Sequence, residues 1–469
     1  MQVFFRADGN SNIGLGHLIR SLALAQMLKP DFQATFLVQN PSKSIQAQIR
    51  EAHKLISLPQ REDYLAEAKQ IVEQFISPQT LIVLDGYAFA TEYQRILKTA
   101  GAKIICIDDL RAYYFLADAI INHAEGLPEK AYSCEPQTQL FLGTQYALLR
   151  TPFREATKKS RIIREIKSVF VCLGGADPKN FSKEVVEVCL AQTQIQSVHL
   201  VLGSAYLFRD SLKELEGERL KIHEDLNADQ MCALMQETDV GIVPASGISY
   251  EACAVRLPIL VGWYMDNQQD LYQFLTQNGL AVGVGNFESL VEKLSQFTPT
   301  QAQQQAQEHY FDGQTAERFK RIFRQFSLQK RLAQPEDMQL YFDWANDPAV
   351  RENSLNSEAI PWDSHQEWFL RKLQSPTVQF FLFEFDDQKV GQVRIEEDDA
   401  AYWINYSVSA NQRGKGWCFA MVKATVQELK GRPIKAYVKV ENQASIRIFE
   451  KLQFREVERK KGVITFLLD

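Results

Sequence analysis

Short β-type runs separated by helical patterns recur twice along the first two-thirds of the chain, and this alternation restricts the fold more than any other feature. In the first stretch, ValPhePhe at 3–5, ThrPheLeuVal at 35–38, LeuIleValLeuAsp at 81–85 and LysIleIleCysIleAsp at 103–108 are each followed by helix-compatible sequence. Strands separated by helices imply a parallel sheet. A polar stretch at 154–167 precedes a second strand at 168–173, and the alternation restarts through 198–203 and 239–244. The fold class expected is therefore α/β, with two Rossmann-type domains over 1–152 and 153–328. Ligands of such sheets bind beyond the carboxyl ends of the strands, so the chemistry is expected between the two halves.

The pattern then changes. A Gln-rich segment at 301–307 reads as solvated and low in complexity, inside a helix-compatible stretch that runs to about residue 330. From 331 onward tryptophans cluster (Trp344, Trp362, Trp368, Trp403, Trp417), and 380–394 reads as a hairpin around an Asp-Asp-Gln-Lys turn. A third, mixed α/β domain is expected over 331–469. The length of 469 residues exceeds what one hydrophobic core serves. A net charge of -6 without long basic stripes gives no electrostatic case for nucleic acid. No apolar run reaches the ~18 residues of a membrane span and no leader pattern opens the chain, so no membrane partner and a cytoplasmic location are expected. Seven cysteines without a CxxC pair suggest neither a disulfide framework nor a zinc site.

The loop at 6–17, ArgAlaAspGlyAsnSerAsnIleGlyLeuGlyHis, lies between the first strand and the first helix. Gly14 and Gly16 allow close backbone approach, and the amides of a helix start attract anionic oxygens such as those of a diphosphate. A helix N-terminus disfavours the imidazolium, leaving a neutral His17 able to accept a proton. Arg6 is a candidate for an anionic or carbonyl oxygen and Asp8 for orienting His17 or a water; a structural ion pair between them, and an ordinary tight turn, stay open. In the second domain, Gly174-Gly175 follows a strand and precedes a helix, again able to cradle phosphate. AlaSerGlyIleSerTyrGluAla at 245–252 offers Ser246 and Ser249 as helix caps or phosphate ligands and Glu251 as a ribose partner or a favourable first-turn charge. Asn267 and Gln268 supply amides suited to a sugar.

Taken in order, GlyLeuGlyHis, LeuAspGlyTyr at 84–87, CysIleAspAsp at 106–109, GlnTyrAlaLeuLeuArg at 145–150, LeuGlyGlyAlaAsp at 173–177, the 246–252 segment and AsnGln at 267–268 resemble the UDP-2,4-diacetamido-2,4,6-trideoxy-β-L-altropyranose hydrolases of pseudaminic acid biosynthesis. The resemblance covers roughly 1–325. It implies a GT-B-like pair of domains and metal-free, inverting substitution at the anomeric carbon by water. It further implies that His17 is the general base and that Tyr87 and Asn267 line the sugar pocket. Gly174, Gly175, Ser246 and Glu251 would hold UDP, with Arg6, Gly14, Gly16 and Gln268 as further contacts to the UDP sugar and Asp8 beside the catalytic group. Asp108 and Asp109 read as polar residues at a strand end rather than as metal ligands.

In the third domain, ArgGlyLysGly at 413–416 opens a helix after a strand, and AsnGlnAlaSerIle at 442–446 opens another. Together they resemble the acetyl-CoA motifs of the GNAT N-acetyltransferases over about 331–469. The resemblance implies acetyl-CoA as cosubstrate, held by Val408, Arg413, Gly414, Lys415, Gly416, Cys418, Asn442, Ser445 and Phe449. Cys418 and Gln453 depart from the usual small residues, and Phe449 stands where many members carry a tyrosine that protonates the leaving thiolate. His365 is the one histidine of this domain, so a base on the amine falls to Glu396, Glu397 or a water, unless those carboxylates are only solvated charges. The segments 337–354 and 365–369 look like GNAT members that acetylate the 4-amino group of UDP-linked sugars. The combined expectation is a bifunctional enzyme that acetylates a UDP-linked 4-amino sugar and then removes UDP. A GT-B glycosyltransferase, or a hydrolase with a non-catalytic acetyl-CoA-binding module, are the alternatives.

Overall fold

The computed structural model describes every residue except 10–14, 164, 204 and 430. The chain divides between Phe319 and Lys320: Gln2–Phe319 form one compact unit, and Lys320–Asp469 together with Met1 form the other.

The first unit contains two parallel sheets. Strands β1 (Gln2–Ala7), β2 (Gln33–Gln39), β3 (Lys54–Leu58), β4 (Leu81–Asp85), β5 (Lys103–Ile107), β6 (Ala119–Asn122) and β7 (Gln139–Leu142) run in the order β3-β2-β1-β4-β5-β6-β7. Strands β8 (Ser168–Val171), β9 (Ser197–Leu202), β10 (Leu220–Glu224), β11 (Val240–Pro244), β12 (Ile259–Gly262) and β13 (Val282–Gly283) run in the order β10-β9-β8-β11-β12-β13. Both sheets are Rossmann-like. Their central strands are continuous apolar runs because helices cover both faces, and all five residues of β4 are buried.

Helix α1 (Gly16–Met27) follows β1, α2 (Phe181–Ala191) follows β8, and α3 (Gly247–Ala254) follows β11. The Gln-rich segment departs from its expected solvated state. It is a helix, Gln301–Tyr310, whose Gln303 and Gln307 are buried. Gln303 donates to the carbonyls of Ile259 and Leu280 (3.1 and 3.0 Å), and Gln307 to those of Leu257 and Leu280 (2.9 and 3.0 Å). An amide side chain at four-residue spacing reaches one helix face, so two glutamines satisfy backbone acceptors that would otherwise be buried and unpaired.

Helix α4 (Thr315–Ser327) leads into the second unit. Its sheet is mixed: β14 (Gln329–Leu332), β15 (Val378–Phe385), β16 (Gln388–Glu397), β17 (Tyr402–Val408), β18 (Ile434–Lys439), β19 (Arg455–Lys460) and β20 (Val463–Leu468), in the order β14-β15-β16-β17-β18-β20-β19. Helices α5 (Met338–Ala345), α6 (Pro348–Asn353) and α7 (Trp362–Leu373) precede β15; α8 (Trp417–Val426) and α9 (Gln443–Lys451) follow β17 and β18. The hairpin turn is tighter than expected. Asp386 and Asp387 alone form it, both with positive φ (50° and 61°), while Gln388 and Lys389 already belong to β16. Two left-handed residues suit the twist of the flanking strands, and Asp tolerates that conformation. Strands β17 and β18 are parallel but pair only at Tyr402↔Ile434 and Trp403↔Lys435, so they part beyond Trp403. No helix among the described residues is long and apolar enough to cross a membrane.

Candidate active sites

Parallel pairing of β1 with β4 sets Ala7 beside Asp85 at the carboxyl ends of the two strands. Helix α1 then brings His17, Arg20 and Ser21 to this point, because residues three and four apart share a helix face. His17 Nδ1 lies 2.7 Å from Asp85 Oδ1. Ser21 donates to Oδ2 at 3.0 Å, and the Arg20 guanidinium donates to both oxygens at 2.7 to 3.0 Å. Arg20 Nη1 also reaches Asp109 at 2.8 Å. Burial pushes the Asp85 carboxyl up, but the Arg20 charge and the hydrogen bonds from His17 and Arg20 outweigh it and hold Asp85 below its ordinary range. Asp85 is thus an acceptor-only carboxylate, which requires the proton of a neutral His17 to sit on Nδ1. The 3.0 Å approach of Arg20 Nη2 to the same nitrogen is an adjacency of two donors. The lone pair of His17 is then on Nε2, the arrangement a general base needs.

Tyr87 packs edge-on against the His17 ring, centroids 4.7 Å apart, and is 57% exposed. Burial and the carboxylates around it, Asp109 foremost, raise its phenol. Between Asp85 and Tyr87, Gly86 has φ of +155°, and a Cβ there would stand 2.9 Å from the Phe89 ring. Glycine is what lets the chain pass from a buried aspartate to an exposed tyrosine in two residues. The sequence reading assigned no role to Asp85 or Arg20. The signals were an acid at the last position of a buried strand and the His17, Arg20, Ser21 spacing.

Arg6 and Asp8 form the structural ion pair. Arg6 is fully buried, donates to Asp8 at 2.6 and 2.7 Å and to Glu67 at 2.8 and 3.0 Å, and lies 4.9 Å from the Phe89 ring centroid. Tyr93 completes the shell on Glu67 at 3.0 Å, and the Gln39 amide on Asp8 at 2.9 Å. The expected substrate role of Arg6 and orienting role of Asp8 are corrected: alternation along β1 turns Arg6 to the face where Glu67 lies, and Asp85 holds His17 instead. Gly14 lies outside the described residues. At Gly16 a Cβ would meet nothing within 4 Å, so no packing demands glycine there. Asp108 and Asp109 have separate partners, Asp108 accepting from Arg111 N and the Tyr132 hydroxyl (2.9 and 3.1 Å).

In the second sheet, Gly174 has φ of +90° and Gly175 lies against β9, since a Cβ on Gly203 would stand 2.3 Å from the Gly175 carbonyl oxygen. The helix after this turn is not an open anion site. Asp177 accepts from the amides of Phe181 and Ser182 at 3.0 and 2.7 Å and caps α2 itself. Helix α3 differs. Ser246 sits at its N-cap with extended backbone and no side-chain cap, and Ser249 donates instead to the Ser246 carbonyl at 2.7 Å. Glu251 is gripped by Arg150 at 2.7 and 2.8 Å; burial raises its carboxyl against the pull of that arginine. Each Glu251 oxygen retains a second lone pair for a hydroxyl. Gln268 accepts from the amides of Tyr264 and Met265 at 3.0 and 3.3 Å, while Asn267 is exposed. Tyr250 of α3 donates to the His123 carbonyl at 2.9 Å and packs edge-on against its ring. His123, just past β6, is driven down to about 4 by burial and by the Arg20 charge, and its Nδ1 is buried without a hydrogen bond.

In the second unit, the parting of β17 and β18 exposes the ends that carry the two motifs. After Val408, the 413–416 loop has left-handed Gly414 and Gly416 (φ 79° and 85°) and leads into α8. Arg413 is paired with Asp347 at 2.5 Å, and Lys415 donates to Gln412 at 2.9 Å. Burial pushes the Cys418 thiol up to about 11. Asn442 caps α9 by accepting from Ser445 N at 3.1 Å, and the Ser445 hydroxyl meets that of Tyr406 at 2.8 Å. Phe449 is a correction: it is buried among Tyr406, Phe454 and Phe466, a core residue rather than a cosubstrate contact. Glu396 is held by Lys372 and Arg394 (2.5 and 2.9 Å), and Glu397 by Arg432 (2.9 Å).

Residues 328–455 match the Acetyltransferase (GNAT) domain family. An uncharacterized protein of Methanocaldococcus jannaschii is 22% identical over 505 residues, covering 98% of each chain. The spore coat polysaccharide biosynthesis protein SpsG of Bacillus subtilis is 26% identical, covering 61% of this chain and 84% of its own. The UDP-2,4-diacetamido-2,4,6-trideoxy-beta-L-altropyranose hydrolase of Campylobacter jejuni is 24% identical, covering 60% of this chain and 98% of its own. The chain therefore joins a region similar to sugar-nucleotide hydrolase and polysaccharide biosynthesis proteins to a GNAT acetyltransferase domain, and it is an enzyme.

Proposed function

We propose that this chain acetylates the 4-amino group of a UDP-linked 4-amino-4,6-dideoxy sugar that already carries a 2-acetamido group, using acetyl-CoA, and then hydrolyses the product to UDP and free 2,4-diacetamido-2,4,6-trideoxy-L-altrose, as in pseudaminic acid biosynthesis. The observation that carries the hydrolytic half is the 2.7 Å contact of His17 Nδ1 with a buried, ionised Asp85. With Nδ1 protonated, Nε2 takes a proton from water. The water oxygen attacks the anomeric carbon from the face opposite UDP, the carbon–oxygen bond to UDP breaks, and its electron pair passes to the diphosphate. Asp85 stabilises the imidazolium that forms. Backbone amides at Gly174-Gly175 and the uncapped first turn of α3 receive the departing diphosphate, Glu251 and Arg150 the ribose, and Tyr87 and Asn267 the sugar. The two Rossmann-like sheets act as a GT-B pair with water in place of a sugar acceptor.

In the acetyltransferase half, acetyl-CoA supplies an activated acyl group; the 413–416 loop and the start of α9 bind it. The amine attacks the thioester carbonyl, the carbon–sulfur bond breaks with its electron pair passing to the thiolate, and the proton lost from nitrogen passes to water, which protonates the thiolate in place of a tyrosine at position 449. Proximity provides much of the rate.

The test is mass spectrometry of products from the full chain with a panel of UDP-linked 4-amino sugars and acetyl-CoA. Acetylated sugar nucleotide, then free sugar, UDP and CoA are expected. Release of UDP only after a hydroxyl acceptor is added would make the first unit a glycosyltransferase. His17→Leu is expected to abolish UDP release and leave acetylation intact.

A further inference from the structure

The 413–416 loop carries two left-handed glycines, Gly414 and Gly416, and must hold one shape to bind acetyl-CoA. Glycine is the residue with the most conformational freedom to lose, so a ligand-binding loop built on two of them needs support from outside. Its own cations do not provide it, since Arg413 is tied to Asp347 and Lys415 to Gln412. The support comes from α4, upstream of the segment that matches the acetyltransferase family. Arg324, buried, donates from Nη1 to the Lys415 carbonyl at 2.9 Å and lies 5.8 Å from the Trp417 ring centroid. One turn earlier, the stem of Arg321 lies against the loop, since a Cβ on Gly416 would stand 3.2 Å from its Cγ and Cδ.

We propose that Arg324 is a positioning residue for the pyrophosphate of acetyl-CoA: by anchoring the Lys415 carbonyl it aims the Gly416 amide at the phosphate. In a planar trans peptide, C=O and N–H point in opposite directions. Holding the Lys415 carbonyl on Arg324 therefore turns the Gly416 N–H away from α4. Without that anchor, the Lys415–Gly416 peptide plane rotates at the cost of one hydrogen bond, and the amide no longer faces one direction. Arg324 acts through the loop and does not touch the ligand. Its role rests on the reading of the loop as the pyrophosphate site.

The experiment uses the full chain with Arg324→Met, which keeps the stem and loses the donors, and Arg324→Lys, which keeps a donor. Dissociation constants are read for CoA by calorimetry and for pantetheine, which lacks the pyrophosphate, by ligand-observed NMR. Arg324→Met is expected to weaken CoA about tenfold while pantetheine binding stays within twofold, and Arg324→Lys to recover most of the loss. An unchanged CoA affinity in Arg324→Met overturns the anchor. So does an equal loss for CoA and pantetheine with a lowered melting temperature, which marks a merely structural arginine. Wild-type protein that binds CoA no more tightly than pantetheine instead refutes the pyrophosphate reading of the loop, and the anchor with it.

Discussion

Replacing Asp85 by Asn removes one charge from the His17 site and changes little else in shape. As His17 takes a proton from water, an imidazolium forms with its charge about 4 Å from the Asp85 carboxylate. At an effective dielectric of about 20, that pair is worth about 4 kcal/mol. Arg20, whose Nη2 lies 3.0 Å from Nδ1, opposes the imidazolium charge directly. In Asp85→Asn the repulsion from that guanidinium remains while the attraction of the carboxylate is lost, so the expected cost is about 4 kcal/mol. At 1.36 kcal/mol per decade, UDP release is expected to slow by about a thousandfold. The same substitution leaves Arg20 with Asp109 as its remaining anion, so some loss of stability accompanies it. Initial rates of UDP release by a coupled assay, below the melting temperature of the variant, separate the two effects, and acetylation by the same preparation serves as an internal control. A variant that releases UDP within tenfold of wild type refutes the Asp85–His17 assignment and moves the base elsewhere.

Arg6→Leu leaves Asp8 and Glu67 buried without their cation; breaking a buried pair this way costs about 3–5 kcal/mol, so a large drop in denaturation midpoint is expected. UDP turnover per folded molecule should be unchanged, and a selective loss of turnover would restore a catalytic role to Arg6. Acidification is expected to destabilise the first unit between about pH 6.5 and 4. His53 and His123 are both held down to about 4, so the unfolded chain binds more protons in that window and stability falls as pH drops. His123→Gln should make the decline in melting temperature shallower, and an unaltered slope would refute the assignment.

The three-sheet organisation was legible because periodicity is local: apolar runs of strand length between helical patterns mark which segments are strands covered on both faces, whatever lies elsewhere in the chain. The glycine-containing loop that opens α8 was legible for the same reason, since turn chemistry is written in adjacent residues. The partners were not. Asp85 is 68 positions from His17, Glu251 is 101 from Arg150, and Arg324 is 91 from Lys415. Which of several carboxylates meets a histidine depends on strand order, and β4 lies beside β1 although two strands intervene in sequence. The same holds for Arg6, in β1, and Asp8, just past its end: their sequence left a substrate role and an ion pair both open, and Glu67 and Phe89 close around Arg6 to decide for the pair. The sequence by itself determined the layers, the turns and the residue types at their ends. Only the tertiary structure decided which of those residues meet and which are sealed away, because charge pairing and burial are set by contacts distant in the chain that no local spacing encodes.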